Sequence, residues 1–198
     1  VKSYIINKAS DKIMKTDGIK SSILNIGGDL IARGTMEETI GIVNPLNPAD
    51  NRLPLLSVSI YDKAVATSGN YRQGFLVGDN WYSHILDPRT AMPAGEIISA
   101  TVVSGNAVEA GALATAFNVL TPGECIEVAE QRPGLEFLIV TKDGELLKSE
   151  GWDGIEKGST IDMPGDAGSD YEMNIELELS SFEGISRRPY LAVWVENE

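Results

Sequence analysis

Two consecutive helix-start signals constrain the fold of this chain more than any other pattern in its sequence. Asn106 can cap a helix, with Glu109 three residues later, and residues 107–120 are rich in alanine and other apolar side chains. Thr121 repeats the arrangement, with a proline in the first turn and a glutamate three residues on, so a second helix is predicted to run to about Arg132. Strand-like runs precede and follow this pair, so the helices stand between strands.

Short strand-like runs bounded by Gly, Pro, Asn and Asp make up most of the remaining chain up to Trp152. A further helix is predicted over residues 1–17, where apolar residues recur at helical spacing. Two strand pairs are predicted as β-hairpins, one around Gly78-Asp79-Asn80 and one around Lys142-Asp143-Gly144. The predicted strands cover residues 22–26, 30–33, 39–43, 55–60, 64–67, 75–77, 81–85, 98–103, 135–141 and 145–148.

The composition excludes several classes of protein. With 198 residues, 42% hydrophobic and 23% charged, the chain can bury one full core and part of a second domain. The net charge of −13 argues against nucleic acid or an anionic membrane as main partner, because no basic block offsets phosphate repulsion. Cys125 is the single cysteine, which excludes an internal disulfide and a cysteine-rich metal site. No apolar run reaches the roughly 18 residues of a membrane span, and the helical character at Val1 predicts that the native N-terminus lies upstream.

A change of composition near Trp152 predicts a domain boundary. Residues 153–169 are rich in Gly, Asp and Ser and are predicted to form a linker. Residues 171–179 alternate between apolar and polar side chains, as does a strand with one solvated face, and residues 189–195 follow as a second strand. Because two strands rarely stand alone in water, residues 170–198 are predicted to begin an all-β accessory domain after a first domain over residues 1–152.

The one histidine of the chain, His84, lies where a strand-like run enters a rigid, polar turn. Asp87 follows three residues later, and the prolines at Pro88 and Pro93 prevent a helix or a central strand from continuing. Reactive groups are often placed on loops held by a scaffold, but a single histidine at a strand end is more often structural. These residues alone therefore leave both roles open.

Two small-residue segments indicate places where the backbone bends or is closely approached. Gly27-Gly28 lies between two strand-like runs, either as a glycine bulge or as a wall against which a flat ligand lies, and this signal alone favours the bulge. Ser68-Gly69 ends another strand and brings a hydroxyl and an exposed backbone close to the ring of Tyr71.

Four blocks of sequence follow one another in a recognisable order. They are residues 23–29 with Gly34, residues 66–71, residues 83–90 with Pro93, and residues 110–120. In this order they resemble the FAD:protein FMN transferases, once called thiamine-biosynthesis lipoproteins, and the resemblance covers roughly residues 1–152. Residues 170–196 resemble a domain of unknown function that is sometimes fused behind that transferase.

The resemblance implies an α+β fold with a mixed or antiparallel sheet and flanking helices. It implies an enzyme that uses FAD and Mg²⁺ to move FMN onto a threonine hydroxyl of a target flavoprotein, with release of AMP. In such a displacement the metal neutralises the phosphates and a general base takes the threonine proton. The resemblance also implies a location in the cell envelope or periplasm.

The resemblance assigns roles to individual residues. His84 would be the general base, with Asp87 orienting its turn. The positions implied to contact the flavin nucleotide are Lys2, Ser68, Gly69, His84 and Ile85.

The metal site of the family draws on an aspartate and a threonine four residues apart on the helix after the histidine block, a spacing that puts both on one face. Here Thr115 occupies the threonine position, but Gly111 occupies the aspartate position. Glu109 is a poor substitute, because two residues along a helix correspond to a rotation of about 200° around its axis. We therefore expect Mg²⁺ binding to be largely lost and Thr115 to be a packed residue. Other departures from the family are Ser3 and Ala91 in place of glycines and Asn7 in place of an aspartate.

Two functions remain open on the sequence alone. One is flavin transfer, either impaired in catalysis or supported by a rebuilt metal site. The other is a non-catalytic module on the same scaffold that binds flavin or interacts with proteins. Gly111 is the residue that separates them.

Overall fold

A computed structural model describes residues 1–48, 54–71, 73–157 and 191–194 of the chain. Its helices are α1 (Lys2–Ile13), α2 (Ala107–Phe117) and α3 (Pro122–Glu130), with a 3₁₀ helix at Trp152–Gly154. The first strands are β1 (Ser21–Ile26), β2 (Asp29–Gly34), β3 (Glu37–Ile42), β4 (Leu56–Tyr61), β5 (Ala64–Gly69), β6 (Gly74–Val77) and β7 (Asn80–Ser83). The later strands are β8 (Leu86–Asp87), β9 (Met92–Pro93), β10 (Ile97–Ser104), β11 (Glu136–Thr141), β12 (Leu146–Lys148), β13 (Glu156–Lys157) and β14 (Leu191–Trp194).

In the described residues, the strands assemble into one large sheet and three smaller ones. The large sheet has the order β12-β11-β10-β5-β2-β1-β14, and every neighbouring pair in it is antiparallel. A three-stranded sheet has the order β13-β4-β3, and β6–β7 and β8–β9 are separate two-stranded ribbons. The predicted α+β class with an antiparallel sheet and helices is confirmed.

Alternation along the central strands gives the large sheet two buried faces. Ala64 and Ala66 of β5 join a core formed with the helices, whereas Val65 between them joins a second core formed with β3 and β4. Val102 and Val103 of β10 divide in the same way. Successive side chains of a strand point to opposite faces, so the sheet lies between a helical layer and the three-stranded sheet.

Capping residues set the helix starts as the sequence predicts. The side chain of Asn106 accepts hydrogen bonds from the backbone N–H groups of Val108 and Glu109, and Thr121 forms a complete capping box with Glu124. Glu109 does not close the box predicted at Asn106, because its carboxylate accepts a hydrogen bond from Ser104 instead. Each helix ends before its predicted last residue.

Over the described residues, none of the helices combines the length and apolar character that a membrane crossing requires.

The glycine pair between β1 and β2 forms a hairpin turn, so the favoured prediction of a bulge is wrong. Gly27 and Gly28 have φ values of 55° and 90°, and the strand register runs without a shift to the pair Ile26–Asp29. A two-residue hairpin turn of this kind needs positive φ at both positions, which glycine adopts without steric cost.

Two segments after Trp152 contribute strands to the sheets. Glu156–Lys157 pairs with β4, so the first residues of the predicted linker form a strand of the three-stranded sheet. Leu191–Trp194 runs antiparallel to β1 at one edge of the large sheet. The predicted strand over residues 171–179 lies outside the described residues, and the division into domains stays a prediction.

Packing of Phe117 between α2 and the sheet gives a direct test of the helical core. Phe117 is fully buried, and its ring meets that of Phe137 edge-on with centroids 5.4 Å apart. We expect Phe117→Ala to lower the free energy of unfolding in urea by about 3–5 kcal/mol through lost burial and a cavity. Val108→Ala on the exposed face of α2 is the matched control and should change it by less than about 0.5 kcal/mol. Equal effects of the two substitutions would contradict this account of the core.

Candidate functional site

A cavity of about 440 Å³ opens at one side of the large sheet. It is bounded by the β1–β2 turn, β3, the end of β5 and the segment that leads to β6. The lining contains both turn glycines and four of the five predicted flavin-contacting residues, namely Lys2, Ser68, Gly69 and His84. Residues from five separate parts of the sequence thus share one concave surface, the usual form of a small-molecule site.

Ile85 and Thr115 lie outside this lining. The Ile85 side chain is buried, its N–H donates to the Ser83 hydroxyl at 3.0 Å, and its C=O accepts from the Ala94 N–H at 2.8 Å. Its backbone is therefore already bonded within the fold. Thr115 is exposed on α2 and donates its hydroxyl to the Gly111 carbonyl at 3.2 Å, so the prediction that it is a packed residue is wrong.

The imidazole of His84 is held in one tautomer by the residue opposite it. Nδ1 of His84 lies 2.9 Å from the carbonyl oxygen of Gln73. A carbonyl oxygen can only accept, so Nδ1 carries the hydrogen, and in the neutral ring Nε2 is left as an acceptor. The exposed ring is therefore arranged to take a proton at Nε2, as a general base does.

The turn after His84 is fixed by an arginine. Arg89 donates to the Asp87 carboxylate through its backbone N–H at 2.8 Å and its Nε at 3.0 Å. The same guanidinium donates to the Glu124 carboxylate at 3.1 Å and to the Val119 carbonyl at 3.0 Å. The hydrogen bonds from Arg89 hold the pKa of Asp87 below its ordinary value. Asp87 thus positions the turn through Arg89, which ties it to the start of α3.

The corner at Ser68-Gly69 is held between α2 and an aromatic ring. Asn118, buried at the end of α2, donates to the Ser68 carbonyl at 3.0 Å. A Cβ at position 69 would lie 2.4 Å from the Tyr71 ring and 3.0 Å from the Ile98 carbonyl oxygen. A side chain at position 69 would have to displace the Tyr71 ring, so glycine permits the close approach seen here.

Lys2 reaches the cavity from the first turn of α1. Its ammonium lies 3.0 Å from a carboxylate oxygen of Asp29 and donates to the Gly27 carbonyl at 3.0 Å. An ammonium has three N–H donors, so these two contacts leave one for a ligand. The contacts fix a positive charge at the edge of a cavity in an otherwise acidic chain.

The residues around Gly111 do not fit the Mg²⁺ that the family resemblance implies. Gly111 offers no carboxylate, and a Cβ there would lie 2.1 Å from Oγ of Ser3. The carboxylate that does approach Gly111 is Asp29, which is already bonded to Ser3 at 2.8 Å and paired with Lys2. Within the described ranges no cluster of three or more His, Cys, Asp or Glu side chains could hold a metal ion.

Three interactions of the site were not predicted from the sequence. The Gln73 contact could have been found, because extending the predicted hairpin beyond the pair Gly74–Ser83 sets residue 73 opposite His84. The ion pair between Lys2 and Asp29 and the bond between Arg89 and Glu124 join residues distant in sequence. No local pattern predicts such contacts.

Comparison with known proteins identifies relatives of this chain in sequence and in structure. The sequence model of the ApbE family matches residues 1–139. An FAD:protein FMN transferase of Escherichia coli (strain K12) is 32% identical over 143 residues, which cover 70% of this chain and 40% of the relative. The chain therefore spans about two fifths of the length of such curated relatives.

Solved structures agree with the sequence matches. The ApbE protein of Thermotoga maritima superposes with a TM-score of 0.70 at 28% identity, covering 79% of this chain and 51% of that one. The apo flavinyl transferase ApbE of Pseudomonas stutzeri superposes with a TM-score of 0.61 at 25% identity, covering 78% of this chain and 49% of that one.

The pairing of Asp87 with Arg89 predicts a pH dependence of stability. Because the pKa of Asp87 is lowered on folding from 3.8, the pair stabilises the fold fully above that pH and loses its effect as the pH falls through the lowered value. We expect the difference in unfolding free energy between wild type and Asp87→Asn to be constant from about pH 5 to 7 and to shrink below about pH 4. Asp79→Asn in the exposed β6–β7 turn is the control, and a difference that grew on acidification would contradict the assignment.

The conformation of Ala91 predicts a stabilising substitution in the same turn. Ala91 has a φ of 57°, a left-handed conformation that costs an L-residue about 1–2 kcal/mol. Ala91→Gly removes this cost but gives the unfolded chain more conformational freedom. We therefore expect the free energy of unfolding, measured by thermal denaturation, to rise by up to about 1 kcal/mol. Ala94→Gly, at a buried position with ordinary φ, should destabilise instead. Destabilisation by both substitutions would disprove the strain at position 91.

Proposed function

This chain belongs to the ApbE family, and we propose that it supplies part of the flavin-nucleotide pocket of an enzyme that moves FMN from FAD to a threonine of a target flavoprotein. The cavity that brings together Lys2, the Gly27-Gly28 turn, the Ser68-Gly69 corner and His84 carries this proposal. The known activity of the family relatives supports it. The chain spans only part of the length of these relatives, so the complete reaction is a proposal for this protein.

The residues of the pocket suit the chemistry of this transfer. The threonine oxygen forms a bond to the phosphorus of the FMN half of FAD, the bond from that phosphorus to the AMP oxygen breaks, and AMP leaves. Nε2 of His84 takes the threonine proton, while Gln73 keeps the ring in the required tautomer. Lys2 offers its remaining N–H to the phosphate oxygens as a charge-assisted hydrogen bond.

Magnesium is the part of the family chemistry that this chain supports least. When bound, Mg²⁺ neutralises phosphate charge during such a displacement. Gly111 lacks the required carboxylate and Thr115 lies outside the cavity lining. In the described part of the chain, the permanent positive charge at the cavity comes from Lys2.

A second function is favoured by the packing at Gly111. In this alternative the chain is a non-catalytic module that binds flavin nucleotide, or a protein partner, on the scaffold of the transferase. Contacts to a nucleotide depend on the cavity, whereas transfer depends additionally on neutralising the charge that develops on the phosphates. Loss of the metal carboxylate takes away a group that would meet the second requirement, whereas the cavity that meets the first is still present.

We also propose a location in the cell envelope or periplasm, as the old family name of lipoprotein suggests. This part of the proposal rests on the family resemblance.

A transfer assay distinguishes the two functions. The full-length protein is incubated with FAD, Mg²⁺ and a target peptide that contains the acceptor threonine, and mass spectrometry measures the peptide. A mass gain of one FMN is expected, and His84→Ala should lower its rate by about 10²–10⁴-fold because the proton acceptor is lost.

The controls separate binding from chemistry. FAD affinity of His84→Ala is measured in parallel, and Asp79→Asn in the neighbouring turn should leave the rate unchanged. FAD binding without transfer would support the non-catalytic module. Transfer at the wild-type rate by His84→Ala would exclude His84 as the base.

A further inference from the structure

Helices α1 and α2 meet where Ser3 faces Gly111. A Cβ at position 111 would lie 2.1 Å from Oγ and 2.9 Å from Cβ of Ser3. Rotation of the serine hydroxyl relieves only the first contact, and the second is still closer than packed carbon atoms approach one another. Ser3 therefore fills the space that any side chain at position 111 would need.

The Ser3 hydroxyl also occupies the nearby carboxylate. Asp29 is only 5% exposed, and its two oxygens have separate partners. Oδ1 lies 3.0 Å from the ammonium of Lys2, and Oδ2 accepts the hydroxyl of Ser3 at 2.8 Å. A buried carboxylate satisfied in this way is stable, whereas removing one partner leaves an uncompensated charge. A divalent cation would have to displace Lys2 before it could use Asp29.

Lys2 connects this filled position to the cavity. The same ammonium donates to the Gly27 carbonyl at 3.0 Å, and Lys2 lines the cavity together with Gly27 and Gly28. Asp29 thus holds the Lys2 ammonium in place, and the ammonium borders the cavity in which an anionic ligand would bind.

We propose that Ser3, together with the ion pair between Lys2 and Asp29, closes the divalent-metal position in this chain, so that the pocket binds the diphosphate of a flavin nucleotide through the lysine ammonium and without Mg²⁺. This inference rests on the proposed function for the identity of the ligand. It adds that nucleotide affinity is independent of divalent cations and depends on Lys2.

Binding of FAD to the full-length protein tests the proposal. Calorimetric titrations are carried out in Mg²⁺ and in EDTA, and Mn²⁺ binding is followed by electron paramagnetic resonance. We expect Kd values that agree within about twofold and no stoichiometric Mn²⁺. A loss of affinity of about tenfold or more in EDTA, or one bound Mn²⁺ per chain, would overturn the inference and leave the proposed function standing. Absence of FAD binding in both buffers would overturn the proposed function and this inference with it.

Substitutions at Lys2 test which group carries the charge. Lys2→Gln should weaken FAD binding by at least about tenfold in EDTA, since it removes a charge-assisted hydrogen bond. Lys2→Arg keeps the charge and should retain most of the affinity, which separates ligand binding from misfolding. Lys8→Gln, at an exposed position on the same helix, is the matched control. Wild-type affinity in Lys2→Gln would contradict the proposal.

A pair of substitutions tests whether the metal position is filled. Gly111→Asp should lower the melting temperature, because the new side chain meets Ser3. Adding Ser3→Gly should recover most of the loss, and Ser3→Gly alone serves as the reference. A Gly111→Asp protein as stable as wild type would show that the space beside Ser3 is open. That result would overturn the proposal that the metal position is filled.

Discussion

Close packing of alanine against alanine between α2 and the large sheet is the constraint on which the site depends. Ala110 and Ala114 of α2 and Ala66 and Ala100 of the sheet are all buried in one core. Small side chains let a helix backbone approach a sheet closely, since little volume separates them. Because the helix and the sheet lie close together, the side chain of Asn118 at one end of α2 reaches the Ser68 carbonyl.

The same approach decides the chemistry at the other side of the helix. It sets α2 against α1, where Ser3 and Gly111 compete for one space beside Asp29. A side chain at position 111 would require Ser3 to move from its present place. Lys2 pairs with the same Asp29 and lines the cavity, so in our proposal its ammonium is the cation that the pocket offers.

Much of the fold could be predicted because its signals are local. The caps at Asn106 and Thr121, the alternation in the strands and the turn residues each act within a few positions, and the structure confirms these elements with ends shifted by a few residues. The prediction of a bulge at Gly27-Gly28 failed because a glycine pair fits a bulge and a hairpin turn equally well. Only the pairing of β1 with β2 distinguishes them.

The classes of element, the histidine in a rigid turn and the glycine at position 111 can all be recognised in the amino-acid sequence. The family resemblance also implied that Lys2, Ser68 and His84 contact one nucleotide, and in the structure they line one cavity. The contact of Gln73 with the imidazole and the filling of the space beside Gly111 by Ser3 are visible only in the folded structure. Local patterns follow from the backbone geometry of neighbouring residues. Contacts between distant residues follow from how whole elements pack, and no short stretch of sequence contains that information.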